Sequence, residues 1–367
     1  MSMTSHAGDE RVRAVPRLGR LLSRPELGAV AGTLLVLAFF ALTAGGSGLF
    51  SAKGIVNFLE VSAQLGILAA PVALLMIAGE FDLSVGSMIG FAGIVIAIPT
   101  VAWGWPIELA LLLTFVLCGV FGYLNGLIVV KTGLPSFIVT LGSLFMLRGL
   151  TLGIMRGVTG RTQASGIHEY SQGSWIAPLF SGQVLQTPVA WLADLGIVGK
   201  RADGLPMIAG IPMSIVWWLV LTLLCTWLLA RTRFGNWIFA SGGDAHAARN
   251  LGVPVARTKI TLFVFTALAA ALFAAIQVLV TGSADTLRGN LKEFEAIIAV
   301  VIGGTLLTGG YGSAVGALFG ALIFGVVQMG IFYTGIDTDW FKLFMGAMMV
   351  TAVLFNSYVR NRAMRSR

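Results

Sequence analysis

The chain is organised by apolar runs that carry almost no charge, at about 28–48, 58–79, 83–102, 107–130, 134–153, 208–230, 260–281, 296–311, 313–333 and 341–358. At 1.5 Å of rise per residue, roughly 20 residues in a helix cross a hydrocarbon core of about 30 Å. Most of these runs are long enough to do so. A soluble domain has no interior large enough to hide them, since 57% of the residues are hydrophobic and only 11% are charged, with a mean hydropathy of +0.89. A bilayer admits only segments that satisfy their own backbone polar groups. The composition therefore predicts an all-α, polytopic transmembrane helical bundle of about ten spans.

Glycine and proline divide the runs. The stretch 296–336 is uncharged and too long for one crossing. Its centre holds Gly303, Gly304, Gly309, Gly310 and Gly312, which disfavour continuous helix and split it into two spans. Pro71, Pro106 and Pro135 predict kinked or discontinuous helices elsewhere. The 47 glycines suit close helix approach in a membrane bundle. Cys118 and Cys225 fall inside apolar runs and read as small core residues.

Basic residues set the orientation. The amino-terminal tail has Arg11, Arg13, Arg17, Arg20 and Arg24; with ten spans the same side receives Lys131, the group from Arg231 to Lys259, and Arg360 to Arg367. That side is predicted to be cytoplasmic, with both ends inside. The domain layout is then a cytoplasmic tail over 1–27, a transmembrane domain over 28–358 and a basic cytoplasmic tail over 359–367. The tail shows no cleavage site after the first run, so that run is read as an uncleaved span. The net charge of +8 is thus topological and gives no reason to expect nucleic acid. The outer segment 154–207 mixes polar and apolar stretches and reads as an interfacial helix, a packed lid or a plain loop.

No phosphate-cradling loop, nucleophile elbow or zinc-helix motif occurs, and no histidine cluster: the sequence predicts neither an enzyme nor a metal site. Charges near membrane depth are few. Glu80 and Asp82 sit between two runs, with Ser84 and Gly86 at the start of the second, where Asp82 and Ser84 are placed to cap the next helix or the group acts as a hinge. Arg148 is read near the outer end of its span, snorkelling outward, and Asp285–Glu295 as an outer loop. No acid–base pair is then expected at the bilayer centre, which weighs against an ion-coupled carrier. Gln64, Asn125, Thr140, Ser143 and Gln277 are polar within spans; they read as substrate-path residues or as interhelical hydrogen-bond partners.

The segment 239–259, FASGGDAHAARNLGVPVARTK, is small, polar and set between two uncharged runs. Gly243, Ala247 and Ala248 allow a short helix to lie close to another protein, Asp244 suits its start, and Arg249 either contacts a partner or marks the inner side. Together with AGEFDLSVGSMIGFAG at 78–93, NGLIVVKTGLPSFIVTLGSLFMLRGL at 125–150 and VIGGTLLTGGYGSAVGALFGALIFGVVQMGIF at 301–332, this segment resembles the permease subunit of bacterial ABC sugar importers of the ribose, xylose, arabinose and galactose group. The resemblance runs from about Phe58 to Phe355.

It implies an inner-membrane permease without catalytic activity, paired with a second permease copy. ATP and Mg would be bound by a cytoplasmic ABC ATPase, and sugar would be delivered by a periplasmic binding protein. It implies further that Gly243, Asp244, Ala247, Ala248, Arg249 and Gly252 dock on the ATPase. The long outer segment leans toward the xylose-type branch. Three alternatives stand beside the sugar importer: an importer of a non-sugar molecule in the same family, a secondary carrier and a scaffold without transport.

Overall fold

A computed structural model describes residues 25–337 and 339–365, with side chains over 26–337 and 339–354. The expected tails lie largely outside these residues. Each apolar run begins or contains a helix: α1 Pro25–Ala44, α2 Ala52–Ile77, α3 Val85–Ala97 continued by a π-turn over Ile98–Ala102, α4 Ile107–Thr132 and α5 Ser136–Thr159. After the segment 160–212 come α9 Met213–Arg231, α10 Arg233–Gly243, α11 Ala245–Asn250, α12 Val255–Thr281, α13 Lys292–Ile302, α14 Ala314–Tyr333 and α15 Trp340–Arg365. The intervening segment holds the short helices α6 Ile167–Ser171, α7 Pro178–Ser181 and α8 Gln186–Asp194.

Eight of these helices are long and apolar enough to span a membrane. The chain is a polytopic membrane bundle in which α2, α3 and α12 are mostly buried, whereas α1, α4, α5 and α9 leave most of their surface outside. Leu112 and Val116 of α4, and Phe145 and Met146 of α5, are exposed along those outer faces. Water would make such faces an aggregation hazard; lipid or a partner subunit accepts them.

The run at 296–311 is corrected by the structure. It is not one continuous span, because α13 stops at Ile302 and is too short to cross alone. The predicted break is nevertheless where the glycines stand, with α14 starting at Ala314. Contacts show how the chain still crosses. Strand β4, Ser283–Asp285, pairs antiparallel with β1, Gln163–Ser165, on the face that carries 160–212. Residue Gly310, by contrast, donates its N–H to the Ile77 carbonyl at 2.8 Å on the opposite face. The stretch between them therefore traverses the bundle, first as an irregular turn at 286–291 and then as α13. Leu291, ahead of α13, has φ 66°, a left-handed conformation that a leucine rarely adopts.

Segment 160–212 is a packed cap and not a free loop. Ile167 donates its N–H to the Gly282 carbonyl at 3.1 Å, Trp217 Nε1 donates to the Leu179 carbonyl at 2.7 Å, and Ser174 Oγ donates to Glu108 at 2.5 Å. A second two-stranded ribbon, β2 Gln183–Val184 with β3 Ile211–Pro212, closes its far end. These two ribbons are the minor departure from an all-helical chain.

Backbone proximity sets how tightly the central helices pack. A Cβ at Gly122 of α4 would meet the Phe263 carbonyl of α12 at 2.6 Å, and one at Gly126 would meet Ile260 Cα at 2.8 Å. Both contacts are with backbone, which cannot rotate away. Gly122→Leu is expected to separate α4 from α12 and lower stability by about 1–3 kcal/mol. Gly149→Leu, where nothing lies within 4 Å, should stay within about 0.5 kcal/mol. Thermal unfolding in detergent compares the two, and equal midpoints would show that this contact does not limit the packing.

Candidate functional site

The segment between α9 and α12 is shaped by two caps. Thr232 accepts the Gly235 N–H at 3.1 Å and starts α10; Asp244, in extended conformation, ends α10 and accepts the N–H groups of His246 and Ala247, each at 2.9 Å. A carboxylate at a helix start satisfies otherwise free donors and meets the positive end of the helix. Those two backbone bonds, Ala247 first, hold the Asp244 carboxyl below the usual carboxylate range. After α11 the chain closes through Gly252, at φ 81°, and the Val253 N–H returns to the Ala248 carbonyl at 3.0 Å. Gly243, Ala247, Arg249 and Leu251 face outward, Leu251 at 85% exposure. Ala248, grouped with Ala247 in the sequence reading, is buried at 3% and faces the protein itself, because consecutive residues of a helix point about 100° apart.

The base of this segment touches two interruptions in the bundle. Glycines from three distant stretches meet there. A Cβ on Gly242 would lie 1.8 Å from the Ile77 carbonyl and 2.7 Å from the Gly310 nitrogen; one on Gly309 would lie 2.8 Å from Gly79 Cα; one on Gly310 would lie 3.1 Å from Gly243 Cα. The α2–α3 turn, the end of α10 and the 303–313 loop are thus in direct backbone contact. The other predicted glycines act within the same loop. Gly303 packs on Gly316 of α14, Gly304 takes φ 90°, and Gly312 sits against Thr305. Lys259, near the start of α12, pairs with Glu80 in the α2–α3 turn, both side chains largely buried. The sequence shows the charges but not their pairing, which joins residues 179 apart.

Asp82 is more than a cap. The cap residue of α3 is Ser84, one position before Val85. Asp82 accepts the Ser84 N–H at 2.9 Å and the Ser84 hydroxyl at 2.6 Å, and it accepts the Thr266 hydroxyl of α12 at 2.7 Å. Asn125 of α4 donates to Ser84 Oγ at 3.0 Å, and Ser143 of α5 donates to Asn125 Oδ1 at 2.5 Å. Ser136 and Thr140 of α5 accept the N–H groups of Phe81 and Leu83, each at 3.0 Å. The start of α3 is therefore tied to α4, α5 and α12 by one buried polar network.

The five residues read as path or interhelical candidates divide accordingly. Asn125, Thr140 and Ser143 belong to that network and are satisfied by protein groups. Gln64 of α2 and Gln277 of α12 form a separate, half-buried pair, with Gln277 Nε2 donating to Gln64 Oε1 at 2.6 Å. Gly86 packs against the irregular crossing at Gly289 and Glu293. Thr266 and Ser136 escaped the sequence reading because a single hydroxyl in an apolar run is indistinguishable from a helix back-bonding residue.

Arg148 and Glu293 were misplaced. Arg148 lies midway along α5 because that helix continues to Thr159, and Glu293 stands on α13 within the crossing, not in an outer loop. Among the described residues, no three His, Cys, Asp or Glu side chains come together as a metal site.

A helical membrane bundle with buried interruptions and an exposed short helix at one face defines a membrane permease. The chain belongs to the family described as branched-chain amino acid transport system, permease component, which matches residues 54–353. It is similar to the xylose transport system permease protein XylH of Escherichia coli K12, at 33% identity over 368 residues, covering 91% of this chain and 92% of that protein. The protein of the same name from Haemophilus influenzae is 31% identical over 87% of this chain and 92% of its own length. The autoinducer 2 import system permease protein LsrD of Photorhabdus luminescens is 29% identical over 80% of each chain. No solved structure is a significant match.

The Asp82 network generates a stability test. Asp82→Asn keeps an acceptor for both Ser84 groups and is expected to be mild, at most about 1 kcal/mol. Asp82→Leu leaves three donors facing an apolar side chain and should cost at least about 3 kcal/mol, at roughly 1–3 per unsatisfied group. Denaturation midpoints in detergent read both, and equal losses would mean that charge, not hydrogen bonding, holds the turn.

Proposed function

We propose that this chain is the transmembrane subunit of an ATP-driven importer of a small sugar, a pentose such as xylose. It forms the path with a second permease copy, and its α10–α11 segment receives force from a cytoplasmic ABC ATPase that binds ATP and Mg. A periplasmic sugar-binding protein delivers the substrate. The observation that carries this reading is the backbone contact between that segment and the two interrupted crossings. A short capped helix with small outward residues accepts a partner's cleft, and its base contacts the stretches that must move for a path to open. The likeness to two xylose permeases over 87–91% of the chain supports the sugar. The capping segment 160–212 fits that branch as well.

On this reading the transmembrane domain spans 28–358, and Gly243, Asp244, Ala247, Arg249 and Gly252 dock while Ala248 anchors α11 to its own bundle. The face with α11 is cytoplasmic, as its basic residues from Arg231 to Lys259 favour. The likeness to LsrD keeps a second reading, import of a non-sugar molecule by the same machine. Uptake of labelled xylose into vesicles holding the permease, its ATPase and its binding protein decides between them. Xylose uptake without ATP, driven by an ion gradient, would overturn the importer reading itself.

Ala247→Trp should leave membrane insertion intact but reduce ATPase co-purification and substrate-stimulated hydrolysis by about tenfold, as a bulky group pushes the partner surface away. Wild-type values for both would remove α11 as the docking element. Topology has its own test. A cysteine at exposed Asn250 should resist a membrane-impermeant thiol reagent in intact cells, and one at exposed Gln172 should react. Labelling of position 250 from outside would reverse the orientation.

A further inference from the structure

Glu60 is the one acidic side chain beyond the first turn in any of the eight spanning helices. Glu26 and Glu108 stand in the first turns of α1 and α4, and the other spans have none. Glu60 lies about 12 Å along the axis of α2 from Ala52. That end of α2 is on the face with segment 160–212, because the other end, at Ile77, meets Gly310 on the opposite face. Glu60 is half-buried and makes no hydrogen bond or ion pair among the described residues. A carboxylate against lipid is costly, and within a membrane such a residue faces the bundle interior or a water-filled cavity.

The phase of α2 shows what accompanies it. Lys53, Asn57, Glu60 and Gln64 recur at intervals of four, three and four residues and so share one face of the helix. They are all the polar side chains of α2 except Ser62, which is buried against Gly325 of α14 and donates to the Phe58 carbonyl at 2.7 Å. Lys53 is exposed, and the other three are half-buried. Inward of Gln64 the face closes, since every residue from Leu65 to Ala78 is buried. A polar stripe therefore enters from the side of segment 160–212 and ends near the middle of the helix.

Two neighbours border the stripe. Asn57 Nδ2 donates to Tyr333 Oη, at the end of α14, at 3.1 Å, and Gln64 Oε1 accepts from Gln277 of α12 at 2.6 Å. Each amide uses one of its hydrogen-bonding groups there and has others left. An ionised Glu60 has acceptors only, and none is in use. A molecule with several hydroxyls suits this row, because it brings donors to the carboxylate while the amides, about 5 Å away along the axis on either side, give or take a bond. Charge narrows the choice further: Lys53 at the mouth repels a cation, and Glu60 beyond it repels an anion.

We propose that Asn57, Glu60 and Gln64 form a subsite for a neutral polyhydroxylated molecule in the outer half of the translocation path, with Glu60 accepting hydrogen bonds from its hydroxyls. This rests on the importer reading, which supplies the path and the sugar.

The experiment has two arms, both on the complete complex with its ATPase. In the first, single cysteines replace Lys53, Asn57, Glu60, Gln64 or buried Ala63 in spheroplasts, and a membrane-impermeant thiol reagent is added outside; Cys118 and Cys225, both buried, stay in place. Positions 53, 57, 60 and 64 should react, more slowly with depth, and position 63 should not. Xylose with its binding protein should slow the reaction severalfold at 57 and 64, where Glu60 is intact. In the second arm, Glu60→Leu should keep the wild-type thermal midpoint in lipid discs, as it breaks no protein bond, while xylose uptake per ATP falls about tenfold; Glu60→Gln, which retains one acceptor oxygen, should lose about threefold.

Reaction at 53 alone would show that lipid or a second copy covers this face and would overturn the subsite. Reaction at 63 as fast as at 64 would do the same, by removing the stripe as a distinct surface. A lowered midpoint in Glu60→Leu would give the carboxylate a structural role instead. Labelling unchanged by xylose, in cells that import it, would overturn the subsite and leave the importer reading standing. Protection by xylose in a complex that does not import it would reject the importer reading and leave the subsite standing.

Discussion

A backbone that leaves the helical conformation inside a bilayer has no water to satisfy it, and this constraint organises the whole chain. The crossing between β4 and α14 breaks twice, at 286–291 and at 303–313, and so it must be enclosed by protein. Helices α2, α3, α14 and α15 pack on α13 and provide that enclosure, and α2 and α3 are accordingly among the helices with little surface to spare. Glycine makes the enclosure close enough. Where side chains would hold helices apart, Gly303 lies on Gly316 and Gly309 lies on Gly79, and backbone groups reach one another directly. The peripheral helices face no such demand and keep apolar outer surfaces for lipid or a partner.

Contact through backbone also determines how displacement spreads. A side chain absorbs a push by changing rotamer; a carbonyl packed on a Cα has no such freedom. On the importer reading, a displacement of α10 and α11 would pass into the 303–313 loop through Gly242 and Gly310 and into the end of α2 through Ile77. The Lys259–Glu80 pair adds a tether between that turn and α12. Beyond the turn, the Asp82 network fixes the start of α3 to α4, α5 and α12 with hydrogen bonds from four elements. The interruptions are thus the places where the bundle is both thinnest in helix and densest in direct contacts.

Much of the architecture was legible because lipid imposes it on composition. Every apolar run contains helix, and the glycines from Gly303 to Gly312 mark the break between α13 and α14. Asp244 reads as a cap from its position before small residues, and it caps. What could not be read was depth. Arg148 looked like an outer snorkelling residue because the apolar run fades after 153, yet the helix continues through Thr159, since Arg156 and the threonines are compatible with helix. Glu293 looked like part of an outer loop because charge density is the cue for a loop, and a loop that re-enters a bundle shows the same density. Pairings such as Lys259 with Glu80 and Asp82 with Thr266 are set by tertiary contact and leave no local trace. The different facings of Ala247 and Ala248 needed the phase of a six-residue helix, too short for periodicity to define.

The polar residues within the bundle also bear on how selective such a path can be. In the state described, Asn125, Thr140 and Ser143 spend their hydrogen-bonding capacity on one another and on the α2–α3 turn, and Gln64 and Gln277 spend theirs on each other. A neutral polyol entering the bundle must exchange those bonds for its own, and each exchange is close to neutral because a net hydrogen bond contributes only about 1 kcal/mol. On the importer reading this is an advantage. A path whose polar groups are already satisfied holds substrate weakly and releases it, so discrimination falls to the partner that captures the sugar before it reaches the membrane. The half-buried glutamine pair is the point where such an exchange disturbs least, since two amides that bond to each other can each turn to a hydroxyl without leaving a donor or acceptor stranded. The Asp82 network has no such freedom, because opening it strands a carboxylate and breaks the anchor of α3 with it.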